Sequence, residues 1–440
     1  MKPSGRPQVR LKDTEIGPLP ENWEVIRIGK AGDVLGGRQR SPNRVGEPCK
    51  YLRVANVFDG LIDTSKVFEM PFTEEERKRF LLKPGDILLN EGQSRELVGR
   101  SAIYSGEPPE CCFQNTLIRF RPGPSILTDF AQAVFQRYVA TGRFSRLATQ
   151  TTAVAHLGAG NLAAVLIPRP PTSEQSAIAS VLSNTDGLIA SLDALIEKKR
   201  AVMQGTMQLL LSEYARLPGF RRRWESKTLG EVFTLQNGFN FPSSAYGSGM
   251  PLANVLEAIN FTHLHASNLQ ERVAVNEQQA ERYSVRRGDV LFNRTSETEA
   301  DIALASVYVD DAPAVFGGFV IRGRPISDDL DMVYSGYALR AQRVRRQLVR
   351  LGQGGIRTNI GQADLSETEI HVPPIAEQQA IASMLSDLDE EIASMQERRD
   401  KVRGIKQGMM QSLLTGRVRL FEPAGGASIS PGLSAARAGS

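Results

Sequence analysis

Glu174-Gln175-Ser176-Ala177-Ile178-Ala179-Ser180-Val181-Leu182-Ser183 returns later in the chain as Glu377-Gln378-Gln379-Ala380-Ile381-Ala382-Ser383-Met384-Leu385-Ser386, 203 positions on. A proline pair stands just before each copy, Pro170-Pro171 and Pro373-Pro374, at the same separation. Further upstream, Pro84-Gly85-Asp86-Ile87-Leu88 matches Arg287-Gly288-Asp289-Val290-Leu291, and Asn90 matches Asn293. Earlier still the offset falls to 198, as in Ala55-Asn56-Val57 against Ala253-Asn254-Val255. The second copy has therefore lost about five residues from its early loops, where changes of length are tolerated. A period near 200 is too long for a solenoid unit of about 20–50 residues, so the chain is two tandem copies of a whole module.

Each copy has the same order, a mixed segment followed by a long helix. The mixed segment carries strand-like runs, Asp86-Ile87-Leu88-Leu89 and Asn115-Thr116-Leu117-Ile118-Arg119-Phe120, set off by Pro and Gly. Its later part, Phe130 to Leu147, spaces Phe130, Val134 and Tyr138 as one helix face. In the long segment Ile178, Leu182, Thr185, Ile189, Leu192, Ile196, Lys199 and Met203 alternate steps of four and three, the seam of a coiled coil. Ile381, Leu385, Leu388, Ile392, Met395, Arg399, Val402 and Lys406 repeat it. Thr172 with Gln175 suits a capping box that the second copy, with Ile375, lacks.

The two seams are expected to pack on each other. From Glu174 to Leu211 the first helix would run roughly 57 Å at about 1.5 Å per residue. The chain is therefore expected to be α+β, with two modules separated by a long antiparallel helix pair, a dumbbell of approximate two-fold symmetry. The expected boundaries are a module over 1–171, a spacer helix over 172–213, a second module over 214–374, a second spacer helix over 375–418 and a tail over 419–440. Lys199, Arg399 and Lys406 on the seam either snorkel or mark where it opens to a partner.

Composition narrows the function. Apolar residues at 41% and charged residues at 23% are ordinary for a globular protein, and no stretch nears the roughly 18 apolar residues of a membrane helix. The polar N-terminus offers no signal peptide, so the expected compartment is the cytoplasm. Cys49, Cys111 and Cys112 cannot build a disulfide framework and lack zinc spacing; side chains of the adjacent pair should point to opposite faces of a strand, one of them buried. The net charge is only +4, yet the basic residues are 41 Arg against 12 Lys, and Arg is the side chain whose fork reads guanine edges and phosphates.

The Pro-Pro, Glu-Gln, Ile-Ala pattern opening each helix, the Gly-Asp-Ile/Val-Leu strand and the two-copy arrangement resemble the specificity subunit of type I restriction-modification systems. The resemblance runs from about Leu19 to Arg419. It implies that each module is a target recognition domain reading one half of a bipartite sequence in double-stranded DNA. The paired helices would act as a ruler and dock methyltransferase subunits, two of them, with restriction subunits joining the assembly. The Gly, Ala, Ser and Pro-rich segment after Leu420 departs from the pattern and reads as a disordered tail.

Candidate DNA-reading residues follow from chemistry, because Arg, Gln and Asn match base edges. In the first module they are Arg38, Gln39 and Arg40 of a turn-rich loop, Asn90, Gln93 and Arg95 beyond a strand, and Thr151 before the last strand. In the second they are Asn237, Asn240, Arg294, Thr295, Arg357 and Asn359. Arg340, Arg343, Arg345, Arg346 and Arg350 form a run suited to phosphates or to a solvated helix face. Helix packing is assigned to Ile178, Leu182, Ile189, Leu192, Ile196, Ile381, Leu385, Leu388, Ile392 and Met395.

No phosphate-binding Gly-x-x-x-x-Gly-Lys loop, adenine-methyltransferase Asn/Asp-Pro-Pro-Tyr/Phe motif or nucleophilic triad is present. His263-Leu264-His265 lacks partners at ligand spacing. No catalytic residue, cofactor or metal is expected, and no membrane. Two other readings stay open: a structural or interaction dumbbell without DNA specificity, and a methyltransferase with a disguised cofactor site.

Overall fold

The computed structural model describes residues 10–39, 46–150, 154–212, 215–352, 354 and 357–420. They fall into two compact units, one drawn from residues up to 191 and from 398 onward, the other spanning 192–397. Two long helices, Thr172–Leu210 and Ile375–Leu413, each of 39 residues, contribute to both units.

Within each unit the two helices run antiparallel. In the first, Ile178 and Leu182 share a core with Met410, Leu413 and Leu414. In the second, Ile196, Met203 and Leu210 pack with Ile381, Leu385 and Ile392. Leu192 is buried, while Ile189, Leu388 and Met395 are half-buried. The seam cations are held by acids: Lys406 Nζ stands 2.6 Å from Asp186 in the first unit, and Lys199 Nζ 2.7 Å from Glu391 in the second. Arg399 pairs with neighbouring Asp400 at 2.9 Å.

The first module is built on an antiparallel sheet ordered Gly32–Gly36, Leu117–Pro122, Ile87–Asn90, Ser101–Ile103. The second has Phe233–Asn237, Val320–Pro325, Val290–Asn293, Ala305–Tyr308 and His263–Leu264 in that order, the last strand joining in parallel. The inner strand explains the repeated Ile/Val-Leu signature. Ile87 and Leu89 face the core that holds the helix Thr128–Ala140, whereas Leu88 faces a second core with Phe72 and Phe113. Val290 and Phe292 divide from Leu291 in the same way. A strand buried on both faces reads as a continuous apolar run.

The Gly-Asp pair ahead of this strand is structural as well. Gly85 and Gly288 have φ of +92° and +88°, the left-handed region that favours glycine. Asp86 and Asp289, both 1% exposed, close the turn by accepting from the backbone N–H of Lys83 and Arg286, each at 2.8 Å. Arg121 and Arg324 hold the same carboxylates bidentately, at 2.6 and 2.7 Å and at 2.9 and 2.7 Å. Asp289→Ala leaves a turn N–H without its acceptor and strips the Arg324 guanidinium of its carboxylate, with only Ser284 still accepting from it, and is expected to cost roughly 3 kcal/mol. A denaturant titration reads this, and a change below about 1 kcal/mol, the size of an exposed pair, would show that solvent replaces the carboxylate without loss.

Three local expectations are corrected. The capping box at Thr172 does not form, because Gln175 turns to the module: its Oε1 accepts from Leu127 N at 2.8 Å and its Nε2 donates to Ser125 O and Pro170 O. Gln378 makes the equivalent bonds to Asp331 N, Asp329 O and Pro373 O, which is why the Glu-Gln pair recurs. The helix read over Phe130 to Leu147 is two, Thr128–Ala140 and Arg143–Leu147, broken where Gly142 takes φ +66°. Cys111 and Cys112 are both buried, and both belong to the core that holds Phe72 and Phe113, with only Cys112 in a strand, Cys112–Phe113; Cys49 is buried with them, its Sγ 3.6 Å from that of Cys112. No described helix is long and apolar enough to cross a membrane.

Candidate nucleic-acid interface

Strand register gathers the candidate loops of each module at one end of its sheet. In the first, Gly36 faces Ile118 and Asn90 faces Leu117, so the chain past 36, past 90 and before 117 leaves the sheet together. Backbone bonds tie these loops: Arg38 N donates to Phe113 O at 3.1 Å, Asn115 N to Arg38 O at 2.9 Å and Glu91 N to Thr116 O at 3.0 Å. A small antiparallel sheet adds the last loop, with Gly92–Gln93 against Ala155–His156 and these against Thr149–Gln150.

The second module repeats the plan. Asn237 faces Ile321 and Asn293 faces Val320. Gly238 N donates to Val320 O at 3.0 Å and Arg294 N to Phe319 O at 2.9 Å. Thr295 pairs with Asn359 across a short antiparallel ladder, and Thr295 Oγ1 donates to Asn359 Oδ1 at 2.8 Å. The turns 114–116 and 317–319, which periodicity alone did not single out, complete each edge. Gly318 leaves room there for Asn240: a Cβ on it would come within 2.0 Å of Asn240 Oδ1 and displace that side chain.

Side chains at these edges differ in availability. Gln39, Arg95, Asn237, Asn240, Arg357 and Asn359 are exposed, and Gln93, Arg294 and Thr295 are half-buried. Gln93 accepts from Ser94 N at 3.2 Å, and Arg357 lies 3.5 Å from Glu297 in an exposed pair. Arg38 is different: it is buried, 3.0 Å from Glu76, with its guanidinium 4.8 Å from the centre of the Phe72 ring. Asn90 is buried too, its Nδ2 donating to Val57 O at 3.3 Å, and its counterpart Asn293 donates to Asp301 O at 3.0 Å. The structure thus puts Arg38 and Asn90 beneath the edge, bracing it, rather than on it. Arg40 and Thr151 lie outside the described residues.

The arginine run is divided in the same way. Arg340 is committed to the protein: Nε donates to Ala305 O at 2.7 Å and Nη2 to the carbonyls of Ala258, Ile259 and Phe261. Burial lowers its guanidinium to about 10. Arg345 donates to Ala300 O at 2.8 Å. Arg343, Arg346 and Arg350 are exposed on the helix Gln342–Leu351, beside a cavity of about 600 Å³. Among the described residues no cluster of three or more His, Cys, Asp or Glu is placed to hold a metal.

A duplicated module, a duplicated loop-bearing edge and paired helices also meet in known proteins. The profile of the type I restriction modification DNA specificity domain matches this chain twice, over residues 20–198 and 221–403. The chain belongs to that family. Each match takes in one module and most of the long helix that follows it. Among relatives of the family, the type I restriction enzyme MjaVIII specificity subunit of Methanocaldococcus jannaschii is 24% identical, over 91% of this chain and 94% of its own. A solved chain from work on complex assembly and conformational transition of the type I R-M system superposes with a TM-score of 0.57 at 18% identity, covering 91% of this chain and 99% of that one. The type I S subunit from M. genitalium superposes with a TM-score of 0.53 at 16% identity, covering 89% and 96%. The α+β fold with two tandem recognition domains and a long helix pair is the fold of this type I specificity family.

Proposed function

We propose that the chain is the non-catalytic DNA-specificity subunit of a type I restriction-modification complex, working in the cytoplasm. Each module, 1–171 and 214–374, reads one half of a bipartite duplex sequence through its four-loop edge. The helices, 172–213 and 375–418, set the spacing and carry methyltransferase subunits, which restriction subunits join. Two equivalent repeats offer two equivalent seats, hence two methyltransferase subunits.

The observation that carries this reading is the edge itself, made twice on one backbone plan with different side chains. Gln39, Gln93 and Arg95 in one module are answered by Asn237, Asn240, Arg294, Thr295, Arg357 and Asn359 in the other. Amide and guanidinium groups of this kind pair with adenine and guanine edges in the major groove, so two differently furnished edges read two different half-sites. Arg38 and Asn90 support their edge from within. With a net charge of only +4, much of the grip on phosphate must come from partners.

Sequencing the methylated bases of a cell carrying this chain with its methyltransferase is expected to return one split motif, two short specified blocks around an unspecified gap. Purified with that partner, the complex should protect the same motif on DNA. Equal binding to every sequence would overturn the reading.

A further inference from the structure

Two buried glutamates open the long helices, and the DNA-reading edges use neither. Glu174 is 3% exposed and Glu377 0%. Glu174 accepts from Trp23 Nε1 at 2.9 Å and from Arg419 through Nε at 2.5 Å and Nη2 at 2.7 Å. Glu377 accepts from Trp224 Nε1 at 3.2 Å and from Arg216 through Nε at 2.7 Å and Nη2 at 2.5 Å. Glu174 and Glu377 are 203 positions apart, and so are Arg216 and Arg419. One contact is therefore made twice, and each time it crosses between repeats. Arg216, just past the end of the first long helix, holds the glutamate that opens the second; Arg419, just past the end of the second, holds the glutamate that opens the first.

Each contact joins three pieces of its own unit: the start of one helix, the run-out of the other and the module's first segment, which supplies the tryptophan. Arg419 Nη1 also donates to Asn22 Oδ1 at 3.0 Å, and the Arg216 guanidinium stands 5.8 Å from the centre of the Trp224 ring. In the first unit the run-out is pressed close to the module: Gly416 has φ +66°, and a Cβ there would lie 2.3 Å from Pro20 Cγ. Apolar helix contacts tolerate roll and slip. A guanidinium and a carboxylate sharing two parallel hydrogen bonds are coplanar in one orientation only. Buried ion pairs add little net stability over apolar packing, and their best-attested use is to specify register.

We propose that Glu174 with Arg419 and Trp23, and Glu377 with Arg216 and Trp224, are positioning clamps. They fix the setting of each recognition module on its helix pair, and thereby how strictly the gap between half-sites is read. This rests on the DNA-reading function proposed above.

The test uses the full chain with its methyltransferase subunits and reads methylation genome-wide in wild type, Arg419→Ala, Arg216→Ala and the corresponding lysine variants. Both half-sites are expected to stay as in wild type, while methylation at gaps one base pair longer or shorter rises about tenfold or more, as loosened positioning allows. Lysine keeps the charge but not the fork, so those variants should relax the gap partway. They also carry the test should an alanine variant fail to accumulate. Unchanged gap length in variants that methylate, or a uniform fall at every site without relaxation, overturns the clamp. A wild-type chain giving no split motif would instead overturn the DNA-reading function.

Discussion

Trp23→Ala is expected to lower the stability of the first unit by about 3–5 kcal/mol, the range for deleting a large buried aromatic side chain. Trp23 is fully buried and packs in one core with Ile28 and Ala31 of a single short helix and with Leu413 at the end of the second long helix. Its removal leaves a void where module and helices meet, and takes one of three donors from Glu174. For a unit of this size each kcal/mol shifts the melting point by about 2–4 °C, so scanning calorimetry should show a fall of roughly 10 °C. Trp23→Phe keeps much of the volume and loses only the N–H, so it should cost a fraction of that. An alanine variant that melts within about 1 kcal/mol of wild type would remove Trp23 as an anchor of the joint.

Arg294→Ala should relax recognition at one position of one half-site and leave the other half untouched. The Arg294 backbone is fixed on both sides, its N–H donating to Phe319 O at 2.9 Å and its carbonyl accepting from Ile360 N at 3.0 Å, which aims the side chain from the middle of the edge. A bidentate arginine-to-guanine contact discriminates by about 1–3 kcal/mol, a loss of roughly 5- to 150-fold. Titrating the assembled complex against duplexes changed one base pair at a time measures it. Equal weakening on every duplex, with a salt dependence shallower by about one ion, would place Arg294 on a phosphate instead. Arg95→Ala is the matching experiment in the first module.

The repeat, the heptad seam and the continuous inner strand were legible because each is written in local spacing: 174 against 377, fours and threes along 178–203, an unbroken Ile87-Leu88-Leu89. Readings that depend on distant partners were not. Gln175 looks like half of a local cap because Thr172 is three residues away, whereas its acceptor role is to Leu127, 48 residues back. Asn90 and Arg38 have the chemistry of base readers, but Val57, Glu76 and Phe72 enclose them through tertiary contacts that no periodicity records. The alternation rule left one of Cys111 and Cys112 exposed because it assumes a strand with one wet side, whereas only Cys112 is in a strand and both thiols are buried in one core. The turns 114–116 and 317–319 join the edge only through pairing register, which single-sequence spacing leaves open.

The duplicated joint bears on how such a gene can change. Gln175 and Gln378 make the same bonds to the module behind them, and Glu174 and Glu377 meet the same arginine and indole. A recombination event that exchanges one module while keeping its boundary tryptophan and helix opening would insert new reading loops into a socket already matched to them. New target sequences can then arise by shuffling inherited parts, with no need to re-evolve the scaffold.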